Sequence, residues 1–343
     1  MRKLLNVLYI TKPNRYLSLD GETLIVLEDN KKIAQFPLHN FEGIVSFGYM
    51  GASPALMMAC AEKNISLCFM TPYGKFAGRV IGKTHGNVLL RNKQFLVHND
   101  GQIALKIAKN IIIGKIFNAR SVLDRMIRDH SARIDINKFQ NSKSLLLEAI
   151  ENVRIATSTD ELRGLEGGAA VRYFDCFDDM ILQQKESFFY YQRSRRPPLD
   201  NVNAMLSFAY TLLTNEFIGA LDAVGLDPYV GFLHVKRPGR AALAIDMMEE
   251  LRSVYCDRFV LSLINKKQLK ENDFIKQENG AVILTDDARK SFLQFWQERK
   301  QEEIVHPYLK EKISWGLVPY VQAMLMSRFL RDDLEEYPPF LYR

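Results

Sequence analysis

Residues 102–133 read QIALKIAKNIIIGKIFNARSVLDRMIRDHSAR, and it is here that the chain changes period. Apolar residues recur at helical spacing, while Lys106, Lys109, Lys115, Arg120, Arg125 and Arg128 punctuate the pattern. The spacing predicts one long amphipathic helix. Its basic residues have two readings, a solvated face or a row of phosphate contacts. Before this stretch the pattern is of a different kind. Short β-rich runs, LLNVLYI (4–10), YLSLD (16–20), TLIVLE (23–28), KIAQFPL (32–38) and GIVSF (43–47), are separated by the turn signals Asp20-Gly21 and Asp29-Asn30. One helix interrupts them: Ser53 can cap it, Pro54 suits its first position, and ALMMACAEKN (55–64) follows before the strand ISLCFM (65–70). A Gly-punctuated segment, YGKFAGRVIGKTHGN (73–87), closes the region.

After residue 133, helical patterns cover roughly 142–190, 201–224, 240–265, 286–303 and 313–334, with a small hairpin at DFIKQENGAVILTDDA (273–288). The expected architecture is therefore α+β. A small antiparallel β domain over residues 1–85 precedes a larger α-helical domain over 86–343.

Composition agrees with an ordinary folded chain. The 343 residues are 47% hydrophobic with only 19 Gly and 12 Pro, which excludes collagen-like and low-complexity classes. Charge is uneven along the chain. Residues 1–200 hold 28 Lys and Arg against 20 Asp and Glu, a net +8, whereas residues 201–343 hold 18 against 20, a net −2. A basic first part attracts phosphate or acidic partners. Cys60, Cys68, Cys176 and Cys256 form no C-x-x-C pair and read as buried, reduced thiols. The N-terminus has no small-residue cleavage site and reads as a first strand. No run of 18 or more apolar residues is present, so no membrane span and a reducing cytoplasm are expected.

Three blocks carry chemistry. In GFLHVKRPGRAALAIDMMEELR (231–252), His234 ends an apolar run, and Asp246 and Glu249 stand three apart on one helix face with Glu250 beside them. The bland reading is a solvated acidic edge and an unrelated histidine. The functional reading is a site for Mg²⁺ or Mn²⁺, since one imidazole with carboxylates suits a hard divalent ion and lacks structural-zinc thiolates. A further ligand must come from elsewhere. Glu166, in LRGLEGGAAVRYF (162–174), is the candidate, with two glycines beside it at an expected helix start. In YYQRSRRPPLDNVNAMLSFAY (190–210), Arg193, Arg195 and Arg196 stand before two prolines and beside Tyr190 and Tyr191. That surface suits a phosphate backbone and base stacking; ion pairs anchoring a surface loop are the alternative.

These blocks, with DRFVLSLINKKQL (257–269) and RFLRDDLEEYPPF (328–340), in this order resemble the CRISPR-associated endonuclease and integrase of spacer acquisition, the Cas-one family. The RRPP and LEEYPPF segments most resemble type I-C members. The resemblance implies an N-terminal β domain that forms a homodimer and a helical domain with a Mg²⁺ or Mn²⁺ site. Motif by motif, the metal ligands and catalytic residues fall on Glu166, His234 and Glu249, with Asp246 as a second acidic neighbour. Lys236, Arg237, Arg240 and the Arg193, Arg195, Arg196 block would hold DNA phosphates. The implied reaction joins 3′-hydroxyl ends of short double-stranded DNA to a CRISPR repeat. The implied partners are a small Cas-two protein and a Cas-four-type exonuclease. A metal-dependent repair nuclease without integration and a non-catalytic DNA-binding scaffold are the competing functions.

Overall fold

The computed structural model describes residues 6–72, 76–82, 88–235 and 237–342. Among the described residues the N-terminal part holds strands β1 (Val7–Ile10), β2 (Arg15–Asp20), β3 (Thr23–Glu28), β4 (Lys31–Pro37), β5 (Gly43–Phe47), β6 (Ser66–Met70) and β7 (Phe76–Val80), with helix α1 (Pro54–Glu62) between β5 and β6. Strands β2, β3 and β4 form an antiparallel sheet as expected. The turn between β3 and β4 places Asp29 and Asn30 at φ 51° and 61°, the left-handed conformation that Asp and Asn tolerate in tight hairpins.

The second sheet, in the order β1-β5-β6-β7, corrects the antiparallel expectation: β1 with β5 and β5 with β6 are parallel, and only β6 with β7 is antiparallel. The helix that seemed an interruption is a crossover. Helix α1 carries the chain back so that β6 enters beside β5 in the same direction, the crossover that a parallel pair requires. Parallel strands of this kind are buried on both faces, and these alternate between two cores. Ile44, Leu67 and Phe69 face a small core with Leu17, Leu24 and Leu56, while Val45, Cys68 and Met70 face the helical core. Strand β7 falls in the Gly-punctuated segment, where periodicity alone shows no strand. The expected boundary at 85/86 falls on residues outside the described ones.

The helical part starts earlier than the sequence pattern indicates, with α2 (Val88–Asn99). Then come α3 (Gly101–His130), α4 (Ile136–Ile155), α5 (Thr159–Asp175) and α6 (Asn201–Ala223). Asp100, Asp135, Ser158 and Asp200 cap these four through side-chain oxygens that accept N-terminal amides. The expected helix over 142–190 is thus two helices and an irregular segment. That segment is pinned by Tyr190, which stacks on Phe174 at 5.2 Å. The rest comprises α7 (Ala242–Leu251), a π-turn over Arg252–Asp257, α8 (Arg258–Asn265), the expected hairpin of β8 (Phe274–Lys276) and β9 (Val282–Leu284), and α9 (Asp286–Gln301). A second hairpin, β10 (Glu303–Val305) with β11 (Lys312–Ser314), precedes α10 (Val318–Leu330). Helix α6 is long and apolar enough to cross a membrane by composition, but Phe208, Leu212, Leu213 and Phe217 lie in the helical core. All four cysteines are buried and free.

Candidate metal centre

Helix α3 packs against both α5 and α7 and brings together residues that lie far apart in the chain. Glu249 on α7 is 3% exposed. Its Oε1 receives Arg252 at 2.7 Å, and its Oε2 lies 2.8 Å from the Lys115 ammonium of α3. Burial alone would raise this carboxyl; the charges of Arg252 and then Lys115 outweigh it and hold the group at about 2. The same ammonium bonds Glu166 Oε1 on α5. Two carboxylates from different helices therefore share one cation, and their oxygens stand within about two hydrogen-bond lengths, or 6 Å.

Glu166 sits in the middle of α5, because the helix begins at Thr159, seven residues earlier. The expectation of a helix start, and of dipole stabilisation there, is corrected. The neighbouring Gly167 and Gly168 are helical, and a Cβ on either would meet nothing within 4 Å.

His234 follows a loop threaded over α7. Its Nδ1 lies 2.5 Å from Asp246 Oδ1, which also accepts the His234 amide at 3.1 Å. Asp246 Oδ2 accepts the amides of Phe232 and Leu233 at 2.6 and 3.0 Å. A fully buried carboxylate thus wraps one turn of backbone and fixes the imidazole with Nδ1 as donor and Nε2 as the free lone pair. The turn is this tight because residue 231 is glycine: a Cβ there would stand 2.5 Å from Asp246 Oδ2. Asp246 orients the histidine rather than lining the site beside Glu249.

Glu250 leaves the acidic edge altogether. It faces the core, where it accepts the Phe340 amide, the Tyr337 hydroxyl and the Gln322 amide, each at 2.7 to 2.8 Å.

Several further residues, which the sequence reading did not single out, support the site. Arg252 lies over the Tyr210 ring at 4.8 Å, and the Tyr210 hydroxyl reaches Asp257 at 2.5 Å. Arg252 and Asp257 are five apart, and the π-turn puts both against the same tyrosine. Burial raises Asp257 to about 6. Arg163 on α5 donates to the Leu233 carbonyl at 2.8 and 3.1 Å. From α2, Gln94 bonds Asp227 and Val230, and His98 Nδ1 lies 2.5 Å from the Gly231 carbonyl. His98 thereby helps hold the loop that presents His234. Lys115 was detectable in principle: its helical neighbours Ile111, Ile112, Asn118 and Ala119 are all buried, so it is a lysine on an apolar face.

The donor set fits a divalent ion. Glu249 Oε2 is buried and the Lys115 ammonium is the one cation that meets it among the described residues, a place that a hard divalent ion could take. Among the described residues no three such side chains enclose a common point, and Lys115 stands between the two carboxylates.

The arginine expectations divide. Arg193 is held inward by Asn203 and Ser207 at 2.6 and 3.0 Å. Tyr190 is buried, and only Tyr191, 86% exposed, is available for stacking. Arg195, Arg196 and Arg237 are exposed, and Arg240 is lowered first by burial and then by Arg237, with Arg195 and Arg196 adding to it. The two basic stretches therefore converge near His234. Lys236 lies outside the described residues. Along α3, Lys109 bonds the Arg154 carbonyl at 2.8 Å and Arg125 pairs with Asp129, so this helix offers less free basic surface than its sequence suggests.

The family model described as CRISPR associated protein Cas1 matches residues 8–298. A CRISPR-associated endonuclease Cas1 of Chlorobaculum tepidum is 44% identical over 343 residues, covering all of both chains. The structure of a casposase bound to integration product superposes with a TM-score of 0.84 at 22% identity, covering 98% of this chain and 94% of that one. A Cas6-RT-Cas1–Cas2 complex gives 0.84 at 24%, covering all of this chain and 37% of that one. Those two structures share the fold, and the full-length sequence match together with the family model shows that the chain belongs to the CRISPR-associated Cas1 family.

Proposed function

We propose that the protein is a divalent-metal-dependent DNA endonuclease and integrase that joins 3′-hydroxyl ends of short captured DNA to a CRISPR repeat by transesterification. The observation that carries this reading is the pair Glu166 and Glu249, from separate helices, converging on one cation beside a histidine oriented by a carboxylate. Glu166, Glu249 and His234 Nε2 would hold Mg²⁺ or Mn²⁺. Such an ion supplies Lewis acidity toward a phosphodiester oxygen and its attacking hydroxyl.

The chain's own residues do the rest. Asp246 keeps the histidine lone pair directed outward, and Arg252, seated on Tyr210, keeps Glu249 from turning. Arg195, Arg196, Arg237 and Arg240 would hold the phosphate backbone beside the reacting bond, with Lys236 next to them in sequence. Arg193 serves to anchor that loop. Hydrolysis and strand transfer then differ only in which hydroxyl attacks.

Exposed Tyr49, Met50 and Met58 support a homodimer made through the N-terminal domain. Family membership supports a small Cas2 partner, a cytoplasmic location and a Cas4-type exonuclease as further expectations; the type I-C assignment rests on the RRPP and LEEYPPF segments alone. The deciding experiment is strand transfer of a short duplex into a supercoiled plasmid carrying the repeat, with Cas2 and Mn²⁺. Joined product that disappears with EDTA is expected; product formed equally in EDTA would refute the metal dependence.

A further inference from the structure

Lys115 belongs to neither a motif nor the expected ligand set, yet its ammonium occupies the point on which Glu166 and Glu249 converge. Its side chain is 13% exposed. Its neighbours one turn away on α3, Ile111, Ile112, Asn118 and Ala119, are buried, so the chain extends from a packed face into the site. Without a cation the two carboxylates, one of them buried, would face each other and repel. With the ammonium in place, the oxygen lone pairs that a metal needs are directed at Lys115, and Glu249 Oε2 has no other partner.

We propose that Lys115 is a built-in counter-ion that competes with the divalent metal for Glu166 and Glu249, and so sets how tightly the metal binds. This rests on the metal reading above. Two cations cannot share the same pair of oxygens at contact distance without strong repulsion. Metal entry therefore requires the ammonium to swing away, and the free energy of that displacement is subtracted from the affinity. In return, the metal-free protein keeps its carboxylates ordered. Lys115 acts here as a positioning residue, and its signature lies in metal affinity rather than in turnover.

The test is calorimetric titration of Mn²⁺ alone into the full chain and its Lys115→Met, Lys115→Gln and Glu166→Gln variants, with melting curves in EDTA. The two neutral Lys115 variants are expected to bind Mn²⁺ at least about tenfold more tightly than wild type. In EDTA they should melt earlier and regain the loss on adding Mn²⁺. Glu166→Gln should bind markedly more weakly. If both Lys115 variants bind Mn²⁺ no better than wild type while Glu166→Gln loses affinity, the competition is refuted and the metal site stands. If Glu166→Gln binds as well as wild type, the metal assignment itself fails and the competition with it. Two isosteric neutral replacements are used so that misfolding of one leaves the other decisive.

Discussion

Glu249 and Glu250 are neighbours on α7, chemically identical and both removed from water, yet they end in opposite states. Glu249 faces α3 and α5, where Arg252 and Lys115 overcome burial and hold it at about 2. Glu250 faces the C-terminal segment, where burial is answered only by neutral donors, the Phe340 amide, Tyr337 and Gln322, and its carboxyl is raised to about 8. One face of the helix is thus a charged site and the other a neutral buried network. The difference shows that burial by itself does not make a functional carboxylate; nearby cations decide. The network on the second face continues from Gln322 to His306 and fastens residues 337–340 to α3, where Gly114 allows Pro339 and Glu250 to come so close that a Cβ would stand 3.1 Å from one and 3.2 Å from the other.

The sharpest way to break the comparison is to neutralise each glutamate. Glu249→Gln is expected to reduce Mn²⁺-dependent nicking at least about a thousandfold, by loss of a ligand at the reacting centre. Glu250→Gln, replacing a group that is largely neutral at pH 7, should stay within about threefold of wild type. Equal losses in a nicking assay would erase the distinction between the faces. Next in size, Asp246→Asn presents a donor to backbone donors and frees the imidazole, so Mn²⁺ affinity measured by calorimetry should fall about 10- to 100-fold.

What the sequence revealed and what it hid follow the same division. Glu166, His234, Asp246 and Glu249 stand in contiguous blocks, and period located α6 and α9, while alternation with an Asn-Gly turn located the β8–β9 hairpin. Lys115 gains its meaning from how α3 packs on α7, a relation between residues more than 130 positions apart, whereas Arg252 pairs locally with Glu249 and is seated on Tyr210 of α6. The parallel pairing of β5 with β6 was hidden because a crossover helix and an interrupting helix have the same local pattern. Tyr190 and Arg193 looked like DNA-facing groups because arginine and tyrosine suit both a phosphate surface and a buried aromatic cluster, and only the contacts with Phe174 and Asn203 separate the two.

On the neutral face the expected effects are smaller and purely structural. Tyr337→Phe removes a hydroxyl that bonds both Glu250 and Gln322, and chemical denaturation should show about 1–3 kcal/mol of lost stability with Mn²⁺ affinity unchanged. The last effect is one of pH. His306 is fully buried, and burial lowers it to about 4 from 6.5. Its neutral form is favoured in the fold, so its contribution is complete above pH 6.5 and is lost as pH falls from 6.5 through about 4. His306→Asn should therefore flatten the decline of Tm over that window relative to wild type. A parallel decline in both proteins would remove His306 from the account.

The central claim is that Glu166, His234 and Glu249 hold one divalent ion. The most direct measurement is anomalous diffraction from crystals of the full-length protein soaked in Mn²⁺. The account predicts a single strong peak in contact with Glu166, Glu249 and His234 Nε2, with the Lys115 ammonium displaced from between the carboxylates. A peak elsewhere, or no peak with Lys115 still bridging both glutamates at saturating Mn²⁺, would contradict it.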